Sequence, residues 1–107
     1  MLPKKRRISK VLFRKGGPSR TKVLSFATVR ITPLDGQTRA SFIVSKKVAK
    51  SAVLRNKLRR RGYSYLSPYL GIPKQGYALF FYIKNEMKSL KKDLITREIE
   101  LFMRDLA

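Results

Sequence analysis

The positive charge of this chain is confined to its first 85 residues. Residues 1–85 carry 21 Lys and Arg side chains against one acid, Asp35, whereas residues 86–107 carry five bases and five acids. Within the basic part, residues 4–22 contribute nine cations and residues 46–61 contribute eight. Any fold must hold these cations on its surface, where they repel one another unless a polyanion neutralises them. We therefore expect a nucleic acid as the partner. An anionic membrane is the weaker alternative, because no basic helix shows a broad apolar face.

The composition excludes several classes of protein. Of the 107 residues, 43% are hydrophobic, so the chain can bury the core of a single domain over residues 1–107. The sequence contains no Cys and no His, which excludes a zinc site, a thiol nucleophile and the commonest general base. Its apolar runs are far shorter than the roughly 18–20 residues of a membrane span, and no apolar segment follows the basic start as in a secretory signal. We expect a soluble, cytoplasmic protein without a membrane partner.

The acidic residues do not form a pattern suited to catalysis. Five of the six acids lie in the last 22 residues, mostly on the solvated side of one predicted helix, whereas a metal-dependent nuclease needs several converging carboxylates. No glycine-rich run ends in Gly-Lys-Ser/Thr, so nucleotide hydrolysis is not expected either. We predict no catalytic residue, no metal ligand and no small-molecule substrate for the protein by itself.

The first half of the chain predicts a basic arm followed by a β-hairpin. Residues 1–20 are basic and contain a short stretch with helical spacing. Residues 22–31 and 39–45 are rich in β-branched and aromatic side chains, which favours two strands. Asp35-Gly36 between them is typical of a tight reversal, so the two strands are expected to pair.

The second half predicts two helices and a strand. Residues 51–66 form a basic helix with Ser51 as N-cap, weakened at Gly62. Its expected buried stripe comprises Ala52, Leu54, Leu58 and either Tyr65 or Leu66. Residues 77–84 are almost continuously apolar, as expected of a central strand covered on both faces. Residues 87–107 contain the clearest amphipathic helix, neutral in charge and suited to packing. Its expected buried face comprises Leu90, Leu94, Ile99, Phe102 and Leu106.

The order α-β-β-α-β-α predicts an α+β fold, an α/β sandwich in which helices pack on a small, mostly antiparallel sheet. The basic region 46–66 is the expected working surface. At positions four apart on its helix, polar side chains form a ridge that comprises Arg55, Asn56, Arg59 and Arg60. Guanidinium groups bind phosphate oxygens in pairs, and an amide can reach a 2′-hydroxyl or a base edge. The alternative is a solvated charged face with no ligand.

This stretch resembles the signature of the bacterial ribonuclease P protein subunit. The resemblance rests on Ser45-Lys46-Lys47 at the end of a strand, followed by a helix that bears Arg55-Asn56-Lys57-Leu58-Arg59-Arg60. Gly76-Tyr77 before an apolar strand and the final amphipathic helix also fit, so that residues 22–106 are covered. The chain departs from the family at Arg61-Gly62-Tyr63, after which Tyr63, Tyr65 and Tyr69 are either exposed stacking groups or core. It departs again in the atypical residues 1–20.

The resemblance implies a subunit of a ribonucleoprotein endonuclease in which RNA is the catalyst. Such a protein helps the hydrolytic removal of the 5′ leader from precursor tRNA, and the Mg²⁺ is bound mainly by the RNA and the substrate. The implied fold is like a domain of a ribosomal protein, with a left-handed β-α-β crossover that departs from the usual right-handed rule. The alternative function is that of a small basic ribosomal protein or RNA chaperone with no role in cleavage.

The resemblance also implies two groups of binding residues. Those expected to bind the catalytic RNA are Lys47, Lys50, Arg55, Asn56, Lys57, Arg59 and Arg60. Those expected to bind the precursor tRNA leader, in a cleft between the sheet and the N-terminal helix, are Phe13, Phe26 and Lys46. The alternative for Phe26 is a place in the core, because the alternation of side chains along residues 22–31 leaves the inward face ambiguous.

Overall fold

The computed structural model describes residues 19–106, which form four strands and two α-helices. In chain order these are β1 (Arg20–Val23), β2 (Ala27–Pro33), β3 (Arg39–Ile43), α1 (Ala52–Leu66), β4 (Tyr77–Ile83) and α2 (Lys92–Leu106). Short 3-10 helices follow α1 at Ser67–Tyr69 and β4 at Asn85–Lys88. The helix expected within residues 1–20 lies outside the described residues.

The four strands form one sheet in the order β1-β2-β4-β3. β1 pairs antiparallel with β2, and β2 pairs antiparallel with β4. β3 pairs parallel with β4, so the connection through α1 is a β-α-β unit. The α+β fold with a mostly antiparallel sheet is confirmed, as is the central position of the apolar strand. The left hand of the crossover stays a prediction.

The expected hairpin over residues 22–45 is wrong. β2 and β3 are not neighbours, because β4 lies between them. The reversal after β2 instead leads the chain past the start of β4, where the Leu34 N–H donates to the Gly76 carbonyl at 3.0 Å. A side chain at Gly76 would collide with the Gly36 and Leu34 carbonyls. Gly76 therefore permits the crossing that separates the two strands.

The single strand expected over residues 22–31 is also wrong, because the chain reverses within it. The Leu24 N–H donates to the Ala27 carbonyl at 2.8 Å, and β1 turns into β2 across Ser25. Glu98 of α2 accepts from Ser25 N–H at 3.0 and 3.1 Å and from its hydroxyl at 2.8 Å. Charged hydrogen bonds of this kind are stronger than neutral ones. This turn is held by a residue 73 positions away rather than by a local glycine.

Helix α1 begins as predicted and runs through Gly62. The Ser51 hydroxyl accepts from the Leu54 N–H at 3.3 Å, which satisfies one of the free amides of the first turn. Leu58, Gly62 and Leu66 are buried, whereas Ala52 and Leu54 are exposed, so the first part of the expected stripe is wrong. α1 contacts the sheet only in its second half.

Helix α2 buries a face rotated from the predicted one. Its buried residues are Ile95, Ile99, Phe102 and Met103, whereas Leu94 is 58% exposed. Both helices pack on one side of the sheet, around three stacked rings. Phe81 lies between Phe42, at 4.6 Å between centroids, and Phe26, at 6.3 Å. The core therefore lies on this side and leaves the other side of the sheet open.

Candidate nucleic-acid interface

Helix α1 turns a ridge of cations away from the core. We call Arg55, Asn56, Arg59 and Arg60 the α1 ridge. Asn56 and Arg60 are exposed, while Arg55 and Arg59 are half-buried. Arg59 donates from Nη1 to Oδ1 of Asn56, so the amide orients the guanidinium. An oriented guanidinium loses less conformational entropy when it binds a phosphate.

A compact turn precedes the α1 ridge and presents three more cations. In residues 45–50, the Val48 and Ala49 N–H groups both donate to the Ser45 carbonyl at 3.1 Å. Lys46, Lys47 and Lys50 of this turn are exposed. The turn and the ridge follow one another in the chain and together form a continuous basic surface. We call residues 45–50 the lysine turn.

Two cations fix the lysine turn from within the protein. Arg55 donates from Nη1 to the carbonyls of Ala49 and Lys50, at 2.9 and 2.8 Å. Lys88, which follows β4, donates from Nζ to the Val48 carbonyl at 2.7 Å. The sequence pattern did not indicate Lys88, because it lies 40 residues from its partner. Part of the hydrogen-bonding capacity of Arg55 is thus used to hold the turn.

The open side of the sheet presents rows of side chains across the strands. The strand register aligns Val23, Thr28, Tyr82 and Ile43 in one row, which we call the Tyr82 row. Val23, Tyr82 and Ile43 are 65%, 42% and 38% exposed. The next row contains Arg30, which is exposed beside Phe80. The open side therefore combines an accessible aromatic ring with a cation two residues away along each strand.

The comparison with protein families decides the identity. The family model described as Ribonuclease P matches residues 1–107. The chain belongs to the ribonuclease P protein family. None of the curated protein sequences matches it significantly. The ribonuclease P subunit assignment made from the motifs is confirmed, and with it a part in an endoribonuclease holoenzyme and in tRNA processing.

Solved ribonuclease P proteins share the fold. The Thermotoga maritima protein is 14% identical, with a TM-score of 0.70 over 91% of this chain and 89% of that one. A Staphylococcus aureus ribonuclease P protein is 20% identical, with a TM-score of 0.69 over 94% of each chain. A mutant of the S. aureus protein described as defective in mRNA degradation aligns at 20% identity, with a TM-score of 0.73 over 95% of this chain and 88% of that one.

The ribonuclease P fold places the expected leader-binding residues in three different situations. Phe26 is completely buried on the side of the sheet that the helices cover. A ring without exposed surface cannot stack on an RNA base, so the leader-binding role predicted for Phe26 is wrong and the core alternative is right. Phe13 lies outside the described residues. Lys46 is exposed, and its role stays a prediction.

Tyr82 and Arg30 are the residues that sequence reasoning missed on the open side of this ribonuclease P protein. The signal was present in the alternation of residues 77–83. Tyr77, Leu79, Phe81 and Ile83 point to one side and belong to the main core, so that Tyr82 must point to the other. Interpreting the run as covered on both faces hid this difference, because six of its seven residues are buried.

The tyrosines that follow Gly62 belong to the packing of α1. The Tyr63 hydroxyl accepts from the Phe42 N–H at 3.3 Å, and the two rings meet edge to face at 4.9 Å. Tyr65 and Tyr69 are partly buried against the core, and Lys92 Nζ lies 5.8 Å from the centroid of Tyr65. These rings are core rather than stacking groups for RNA.

Metal-ligand clusters and membrane spans were sought within residues 19–106. That part of the chain contains no group of three or more acidic side chains placed to hold a metal ion. No helix in the same residues is long and apolar enough to cross a membrane. The described residues therefore do not fit a Mg²⁺ site made by protein ligands alone.

Proposed function

We propose that this ribonuclease P protein binds the catalytic RNA of its holoenzyme through the α1 ridge and the lysine turn. The observation that carries the proposal is the rigid placement of both elements. Arg55 joins them through two backbone carbonyls, and Asn56 orients Arg59. Phosphate binding by such a surface releases counterions, so its affinity falls steeply with salt. Lys47, Lys50, Lys57 and Arg60 supply the exposed charges of the same surface.

The open side of the sheet is the proposed site for the single-stranded 5′ leader of precursor tRNA. Tyr82 offers an exposed ring on which an unpaired base can stack, a contact worth about 1–3 kcal/mol. Arg30 lies close enough along the sheet to meet the phosphate of a neighbouring nucleotide, because residues two apart on a strand are separated by about 6.6 Å. Lys46, after the end of β3, extends the same basic surface.

The chemistry of cleavage is assigned to the RNA. The protein has no His or Cys, and its described acids do not cluster. Mg²⁺ bound by RNA and substrate would supply the activated water and stabilise the leaving oxygen. The protein's own residues neutralise phosphates, hold the leader and set the orientation of the substrate. Orientation alone can contribute strongly to rate, because it removes translational and rotational freedom before the reaction.

Reconstitution tests the proposal. The protein is added to a bacterial ribonuclease P RNA at low Mg²⁺, and cleavage of precursor tRNA is followed. We expect the protein to raise the cleavage rate and to favour precursor over mature tRNA. Absence of stimulation, with equal binding to unrelated RNAs, would favour the alternative of a ribosomal protein or RNA chaperone. Cleavage by the protein alone would contradict the assignment of catalysis to RNA.

A further inference from the structure

The outward side of α2 carries apolar side chains that nothing in residues 19–106 covers. Leu94 and Leu101 are 58% and 57% exposed, although α2 buries four other residues in the core. Together with Leu90, Arg97 and Glu98 they line a shallow pocket of about 270 Å³. Contiguous exposed apolar surface on a small protein commonly marks an interaction site.

The side chains on this side of α2 form a pattern that is complementary to itself. In chain order they are Lys91, Leu94, Arg97, Glu98, Leu101 and Asp105. The steps of three and four residues keep them on one side of the helix. Leucines lie on either side of an Arg-Glu pair, and a base at one end is matched by an acid at the other. We call these six residues the α2 stripe.

A second copy of the chain satisfies this pattern when the two α2 helices run antiparallel. A two-fold axis between Arg97 and Glu98 places each of these residues opposite the other one in the second copy. The same axis places Leu94 opposite Leu101, and Lys91 close to Asp105. An isologous contact needs such a self-complementary surface. The pairs follow from residue spacing alone, since the members of each pair lie at equal distances from the axis.

Glu98 is already fixed in the orientation that such a contact requires. Its carboxylate accepts from the Ser25 N–H and hydroxyl at 2.8 to 3.1 Å. A carboxylate held in this way loses little conformational entropy when a guanidinium approaches. The same hydrogen bonds hold Ser25 at the rim of the pocket.

The distribution of charge favours a second copy over RNA as the occupant. The whole excess of +20 lies in residues 1–85, whereas residues 86–107 sum to zero. Two copies repel each other least when they meet through their neutral segments. RNA gains little from this surface, because Glu98 and Asp105 would face its phosphates.

We propose that the α2 stripe is a self-association surface through which two copies of this protein pack antiparallel about a two-fold axis. One pair of helices buries less than the roughly 1,200 Å² typical of stable complexes. The dimer is therefore weak, with a dissociation constant on the order of 0.1–1 mM. Salt screens the repulsion between two strongly basic copies, so association strengthens as salt rises, whereas RNA binding weakens.

Sedimentation equilibrium of the RNA-free, full-length protein tests this proposal. At roughly 0.5 mM, close to the expected dissociation constant, the average mass should rise above 12.4 kDa and rise further with added NaCl. Leu94→Gln and Arg97→Glu should return it to the monomer mass. Lys57→Glu makes the same charge change on the exposed side of α1 and should leave association intact. A monomer at every salt concentration would overturn the proposal, as would equal loss in Lys57→Glu.

Cysteine cross-linking tests the antiparallel register. The chain has no native Cys, so Leu94→Cys and Leu101→Cys introduce single reactive positions. Oxidation of a mixture, with one variant tagged to separate the products on a gel, should give mainly the mixed disulfide dimer. Preferential coupling of each variant with itself, or no coupling at all, would contradict the two-fold arrangement. Both variants retain the buried residues of α2, so folding is checked by an unchanged circular dichroism spectrum.

Discussion

Gly62 of α1 lies directly against the ring of Phe42 on β3. A Cβ at position 62 would fall 2.6 Å from Cδ1 and Cε1 of that ring. The ring cannot retreat, because its other face stacks on Phe81 of the central strand at 4.6 Å between centroids. The absence of a side chain at position 62 therefore sets how closely α1, and the basic ridge on it, approaches the sheet.

Gly62→Ala should destabilise the protein although alanine favours helices. Helix propensity alone would stabilise by about 1 kcal/mol, whereas overpacking against the Phe42 ring costs about 1–3 kcal/mol. We expect a net loss of up to about 2 kcal/mol, measured by urea unfolding. The double variant with Phe42→Leu should recover part of this loss relative to Phe42→Leu alone. A stability gain of about 1 kcal/mol in Gly62→Ala would show that α1 can move away from β3.

Arg60→Ala should weaken binding to the catalytic RNA and reduce its dependence on salt. Removing one cation that neutralises a phosphate lowers the slope of log affinity against log salt by about 0.7–0.9. The matched control is Lys74→Ala. Lys74 is exposed and precedes β4, at the opposite end of the parallel β3–β4 pair from the lysine turn. An unchanged slope in Arg60→Ala, or an equal fall in Lys74→Ala, would remove Arg60 from the phosphate-binding surface.

Tyr82→Ala should weaken the binding of precursor tRNA by about 1–3 kcal/mol and leave mature tRNA binding unchanged. The physical reason is the loss of one base-stacking surface. Tyr82→Phe keeps the ring and should bind normally. The measurement is the ratio of the two dissociation constants with the assembled holoenzyme. Equal loss for both RNAs would place the interaction outside the leader.

Phe26→Ala should behave differently, because the ring lies in the core. Removal of a fully buried aromatic side chain costs about 3–5 kcal/mol of folding stability. We expect a lowered unfolding midpoint in urea and, where the protein is still folded, an unchanged preference for precursor tRNA. A selective loss of precursor binding at normal stability would return Phe26 to the leader site.

Lys88→Met should loosen the lysine turn without removing a phosphate ligand. The variant loses the bond from Nζ to the Val48 carbonyl but keeps the aliphatic part of the side chain. Hydrogen exchange at the backbone amides of residues 45–50 should become faster, and RNA affinity should fall several-fold with the same salt slope. A lower slope with unchanged exchange would instead make Lys88 a direct ligand of phosphate.

The sequence by itself determined the parts of the protein that depend on local pattern. Charge segregation indicated an RNA partner, and the spacing from Ser45 to Arg60 predicted the family. Ser51, the helix over residues 52–66 and the apolar strand at residues 77–83 were predictable, because capping and the periodicity of apolar residues are local properties.

Tertiary structure decided which strands are neighbours and which aromatic ring faces RNA. β4 inserts between β2 and β3 through contacts at Gly76 that no local signal encodes. Glu98, far along the chain, holds the turn at Ser25 and so divides one apparent strand into two. That turn puts Phe26 in the core and leaves Tyr82 exposed on the open side. Each of these outcomes depends on contacts between residues distant in the chain, and a local periodicity contains no information about them.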